Sequence, residues 1–405
     1  MIKRTLRAPS CAFSCVALAV FATVAQAETS PYYLGASLTR GHDSNVFRLP
    51  GYLDPQSDSF TTATLLAGFD QPISRQRVYT NLELRRQRFD DLSELNNTGH
   101  KLAAGLDWET IENYSGSIAA GSERALASYS IPRLGQDALR ELNIKRERTF
   151  NASVQRGNLR NDLQIFGAFN TRDTDYSSDA FRFRNNKRYA VRVGTRWHRN
   201  DLLTLGTAWV EARGKYTSAD IEYTSHAIEF TGEWKPSSVS GIDGRIGYEQ
   251  RSYDNAAAQR DFSGVTGLLR WHWEPTGKLA FTTSLVRDAD DSERLVDPGT
   301  SDLTIAGSRV TNSLILEAVW KATAKVSVNA NYHYSDRTLT NPTLAALDTR
   351  GNDKTRQASL GVAWAATNSI SFGCNVGRET RSSDSNLSFP FKANTASCYV
   401  QALLK

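Results

Sequence analysis

Apolar and polar side chains alternate along almost the whole chain. Over 326–334 the residues Val326, Val328, Ala330, Tyr332 and Tyr334 interleave with Ser327, Asn329, Asn331 and His333. Over 310–320 the residues Val310, Leu314, Leu316, Ala318 and Trp320 share a face opposite Thr311, Ser313 and Glu317. The same rhythm runs through Leu102/Ala104/Leu106/Trp108, Tyr189/Val191/Val193/Trp197, Ile228/Phe230/Trp234, Val265/Leu269/Trp271/Trp273, Leu360/Val362/Trp364 and Ile370/Phe372/Val376. A period of two is that of a β-strand, and about 9–11 such residues suffice for a tilted strand to cross a bilayer. Eighteen strands are expected, near 31–40, 58–69, 75–89, 99–109, 114–124, 146–157, 161–172, 187–198, 202–214, 224–235, 240–253, 262–274, 278–287, 309–321, 325–336, 354–365, 369–380 and 393–404.

The connections carry a second pattern. Short ones ("DQPIS", "TIEN", "GNLRN", "HRND", "KPSSVSG", "EPTGK", "ATAK", "AATNS") alternate with longer polar ones. An outer-membrane barrel has short periplasmic turns and long extracellular loops, whereas a soluble sandwich has no reason for this alternation. Trp108, Trp197, Trp234, Trp273, Trp320 and Trp364 each lie just before a short connection. An indole, with an apolar body and one N–H donor, settles where hydrocarbon meets headgroups, so these six are expected to form a membrane-interface girdle. The predicted architecture is all-β: a single closed antiparallel transmembrane barrel of about eighteen strands in a Gram-negative outer membrane.

The first residues change the picture of a composition that is 40% hydrophobic and 22% charged in 405 residues. Lys3, Arg4 and Arg7 precede an apolar stretch over 12–24, and Ala25-Gln26-Ala27 is a small-x-small cleavage site, so residues 1–27 read as a cleaved signal peptide and 28–405 as the barrel. The alternative, an uncleaved anchor, is short of the roughly 20 apolar residues a spanning helix needs. Losing these three cations takes the formal net charge from +5 to +2. With arginines interleaved among acids, no nucleic-acid surface is expected.

Of four cysteines, only Cys374 and Cys398 lie beyond the signal. Strands pairing symmetrically about Asn386 set the two opposite each other on the more apolar face. A disulfide and two buried thiols are both open readings.

Candidate chemistry concentrates on the polar face. Arg188, Arg192 and Arg196 form a row, spaced by Ala190 and Gly194, that spans about 26 Å, comparable to the apolar band of a barrel. Arg85, Arg245, Arg251 and Arg270 join them as pore-lining candidates, facing Glu229, Glu233 and Glu249, with Glu83, Asp107, Asp243, Glu274 and Glu317 on the same surface. The row either guides anions or pairs within the wall. The longest loop, 125–145, is a candidate constriction with Arg133 and Arg140 lining it, or else an outer lid. Six scattered histidines show no metal spacing or nucleophile motif. The acid-rich 288–302 lacks the glycine spacing of a calcium loop. No enzyme, cofactor or metal is expected.

Two stretches, "HDSNVFR" (42–48) and "RFDDLSELNNTGHKLAAGLDW" (88–108), resemble the N-terminal pattern of outer-membrane barrels encoded with exopolysaccharide operons, the EpsL-like or beta-barrel porin 2 group. The resemblance covers the first third of the mature chain. It implies a non-catalytic pore for a secreted polysaccharide, with the outer-membrane bilayer, the barrel-assembly machinery and a periplasmic export component as partners. The chain ends "CYVQALLK", where such barrels commonly end in an aromatic residue. The expected function is therefore passage of an exopolysaccharide. A general diffusion porin for small hydrophilic solutes and a non-conducting structural or adhesive barrel are the alternatives.

Overall fold

The computed structural model describes residues 30–129, 140–157, 163–218, 220–254, 261–289, 309–340, 350–385 and 388–404. The expected signal peptide, Arg133 and most of 288–302 lie outside them.

Eighteen strands form one sheet: Tyr32–Asp43 (β1), Asp58–Ile73 (β2), Gln76–Phe89 (β3), Asn97–Glu109 (β4), Tyr114–Leu126 (β5), Ile144–Arg156 (β6), Leu163–Tyr176 (β7), Asn186–Asn200 (β8), Leu203–Tyr216 (β9), Ile221–Ser237 (β10), Ser240–Tyr253 (β11), Phe262–Thr276 (β12), Leu279–Ala289 (β13), Arg309–Lys321 (β14), Val326–Thr340 (β15), Arg350–Ala365 (β16), Ile370–Ser383 (β17) and Phe391–Leu404 (β18). Each pairs antiparallel with its neighbour in sequence, and β1 pairs with β18 from Leu34↔Leu404 to Asp43↔Thr395. Closure removes every sheet edge, so each backbone N–H and C=O in the wall finds a partner without water. That is the condition for β-structure in hydrocarbon. Among the described residues no helix is long and apolar enough to cross a membrane; the strands do so.

The sheet is turned inside out relative to a soluble protein. Leu65, Val193, Phe230, Ile246 and Val376 are each more than half exposed, and together with Leu34, Leu38, Leu269 and Leu360 they make an outward apolar belt. The alternate residues point inward: on β1, Tyr33, Gly35, Ser37 and Thr39 are the less exposed set. The wall approaches itself closely on this inner face. The Tyr33 ring lies over Gly68 and the Tyr223 ring over Gly214, where any Cβ would overlap the tyrosine.

The observed strands outrun the expected ones mainly at the long-loop end, where β7 reaches Tyr176, β15 reaches Thr340 and β16 starts at Arg350. Beyond the bilayer the ladder continues while both faces become polar, so the alternation loses its contrast.

Candidate pore lining and mouth

The row on β8 forms as a consequence of strand pitch: with Tyr189, Val191, Val193 and Trp197 outward, Arg188, Arg192 and Arg196 occupy the inner face. Their surroundings differ. Arg192 Nη2 lies 2.9 Å from Glu229 Oε2, and the other oxygen of Glu229 accepts from Arg245 Nη1 at 2.9 Å, so one buried carboxylate is shared by two guanidiniums. Arg196 makes no ion pair among the described residues. Its Nη1 donates to Gln155 Oε1 at 3.2 Å, and its guanidinium rests on the Phe166 ring 4.2 Å from the centroid, with Arg192 over the same ring at 5.5 Å. Its direct partners are therefore a ring face below and an amide at the side, with no carboxylate in contact.

The candidate arginines on the other strands are paired. Arg85 sits between Glu83 (3.2 Å) and Glu123 (3.4 Å), and Arg270 lies 3.8 Å from Asp243. Arg251 donates to Glu249 at 2.8 Å, stacks over Tyr223 at 5.0 Å, and shares Glu249 with the Ser225 hydroxyl. Glu233 pairs with Lys235 at 2.5 Å near the short-turn end. Both readings of the inner arginines therefore have residues behind them: pairing for most, and a cation without a carboxylate partner at Arg196.

The mouth contains something the alternation did not signal. The connection between β1 and β2 does not hang outside. Asn45, Val46, Phe47 and Leu49 are buried in it, packed with Leu95, Tyr129 and the inward-facing Phe89. Phe47 meets Tyr129 edge-on at 5.0 Å. Asn45 acts as a clasp: its Nδ2 donates to the carbonyls of Leu49 and Lys392, and its Oδ1 accepts from the Leu49 N–H. Arg48 pairs with Asp43 (2.8 Å) and with Glu379 of β17 (2.9 Å), although its backbone is left-handed (φ 54°). Burial opposes its charge, but Glu379 and Asp43 outweigh it and raise the guanidinium pKa above its ordinary value. The available signal was Val46, Phe47 and Leu49, apolar residues in a segment assigned to a loop. Of the loop 125–145, Tyr129 and Leu142 join this cluster, and Arg140 donates to the carbonyls of Leu53 and Asp54 (2.9 and 3.2 Å). Arg133 lies outside the described residues.

At the other end Trp197, Trp234, Trp273, Trp320 and Trp364 face outward and are exposed, while Trp108 is half-buried over Gly116. Trp271, not among the six, stacks on Trp273 at 5.6 Å and donates to Ser240 Oγ. It lies two residues earlier on the same face, so the period of two already contained it. Cys374 and Cys398 are direct cross-strand partners on the outward face of the last hairpin, their sulfurs 2.12 Å apart. No group of three or more His, Cys, Asp or Glu suited to a metal occurs among the described residues.

Solved structures share this architecture. OccK2 (OpdF) of Pseudomonas aeruginosa, crystallised with glucuronate, aligns with a TM-score of 0.51 at 12% identity over 93% of this chain and 98% of its own. OpdK of the same organism aligns at 0.50 and 12% over 92% and 98%, and OccK5 (OpdH) at 0.50 and 12% over the same shares. The fold is that of outer-membrane porins. No family model and no curated protein matches the sequence, so the resemblance to the exopolysaccharide-operon group rests on its quoted residues alone.

Proposed function

We propose that this barrel is a passive, non-catalytic outer-membrane pore for small hydrophilic solutes, with a preference for anions of the carboxylate class. The observation that carries the reading is the arginine row on β8, ending in a guanidinium held by Phe166 and Gln155 without a carboxylate of its own. A migrating anion replaces water around such a cation without first breaking an ion pair, and leaves again because each contact is single and weak. The glucuronate seen in OccK2 is a solute of that class, in a barrel of this fold.

Passage of an exopolysaccharide is the competing reading, motivated by "HDSNVFR". In the folded chain that segment supplies the apolar clasp and the Arg48 ion pairs on the inner side of the mouth, an arrangement better suited to small solutes than to a sliding polymer. The test is conductance in planar bilayers under a salt gradient. The unaltered protein should conduct with a reversal potential on the anion side, and the joint change of Arg188, Arg192 and Arg196 to Gln should move it toward zero. A protein that folds and inserts but passes no current would refute the pore.

A further inference from the structure

The bond between Cys374 and Cys398 stands where the chemistry that makes such bonds cannot operate. It crosses β17 and β18, and both cysteines face outward and are exposed on the wall. Their surroundings are apolar. Phe372 and Val376 flank Cys374 on β17, Ala396 and Val400 flank Cys398 on β18, and Val362 is the partner of Cys374 on β16. Phe372 stacks on the girdle residue Trp364 at 5.6 Å, so the bond lies one strand repeat, about 6.6 Å, into the apolar belt from the short-turn interface. The next outward charge on β17 is Arg378, two repeats or about 13 Å from Cys374. Arg40, the partner of Cys398 on β1, is drawn across β2 to Thr61 Oγ1 and Asp90.

Disulfide formation runs through a thiolate. One cysteine attacks a sulfur of a disulfide-bearing oxidant and forms a mixed disulfide; the other then attacks the first cysteine's sulfur, closing the bond and releasing the oxidant as a dithiol. Two electrons pass to the oxidant, and the two protons lost by the cysteines are taken up by its thiolates. Each attack needs a charged sulfur and a water-borne partner in one place. Hydrocarbon excludes both, suppressing a thiolate about a hundredfold and keeping a polar oxidant away from the outer wall. An outer-membrane chain reaches its bilayer through the periplasm, where the conditions are oxidising and the thiols meet water.

We infer that β17 and β18 are paired in register, and oxidised by a disulfide-bearing periplasmic partner, before the barrel enters the membrane. The bond then sets more than stability. Cys374 lies opposite Cys398 only in the native register, and a one-residue slip turns one of them to the lumen. β18 is also the strand that closes on β1. A hairpin locked before insertion therefore fixes the register of one border of the seam on which the whole wall closes. The inference does not depend on whether the lumen conducts.

The experiment follows thiol state and insertion together in the full-length chain. In cells, newly made chain trapped with acid and alkylated should already carry the bond while it is not yet heat-modifiable on gels. A heat-modifiable barrel with free thiols, appearing ahead of the bonded one, overturns the order of events. In vitro, oxidised glutathione should close the bond in the unfolded, reduced chain, and act about a hundredfold more slowly once the reduced chain has inserted into vesicles. Equal rates overturn the inference. Tyr399→Cys with Cys398→Ala moves the second cysteine to the lumen side, where it cannot reach Cys374 in the native register. Oxidised beforehand, this variant should fail to insert, while its reduced form inserts; equal insertion of the two forms overturns the role in register. Should the reduced variant also fail, the trapping of the unaltered chain still decides.

Discussion

At the scale of single residues, the wall is governed by what each buried charge can find across one strand spacing. Arg337 and Asp353 are almost fully enclosed and joined by two hydrogen bonds, at 2.7 and 2.5 Å. Removing one partner strands the other, so Asp353→Ala should cost about 3–5 kcal/mol in urea unfolding of the detergent-solubilised barrel. Arg192 and Arg196 differ in the same terms. Arg192→Gln leaves Glu229 still held by Arg245, whereas Arg196→Gln removes a cation that makes no ion pair among the described residues. The larger loss of anion preference, measured as reversal potential, should therefore come from Arg196→Gln. The close packing of Tyr223 over Gly214 predicts that Gly214→Val displaces the ring and with it the Arg251 guanidinium stacked above, lowering the thermal midpoint.

At the scale of elements, the last hairpin and the first loop each depend on one contact that sequence order conceals. The 24-residue span between Cys374 and Cys398 closes a loop whose loss from the unfolded ensemble is worth roughly 3 kcal/mol. The bond faces outward, in the same row as Phe372 and Val376, where lipid excludes a charged reductant. A membrane-impermeant phosphine should thus leave it intact in liposomes and cleave it in urea, as read by electrophoretic mobility. The β1–β2 connection is pinned by Asn45 and Arg48. Replacing 46–49 by a Gly/Ser stretch of equal length should widen the mouth and raise single-channel conductance, while the eighteen-stranded wall stays heat-modifiable on gels. Strand positions and the short turns were legible because a one-residue shift would turn a whole apolar row into the lumen. The inward loop was not, because its burial depends on Phe89, Tyr129 and Glu379, which lie about 40 or more residues away and meet it only after closure.

On the scale of the whole molecule, closure of β1 on β18 converts a pattern into two solvents, hydrocarbon outside and water inside. The outward tryptophans at the short-turn end mark one interface of the bilayer. What alternation determined by itself was the class of fold, the number of strands and the side of the wall each residue takes, because a strand's period of two leaves no freedom once one face must meet lipid. Which arginine shares a carboxylate and which rests on Phe166 were decided only by the tertiary structure. Those relations run across strands, and the register that sets them is a property of the closed barrel rather than of any one segment.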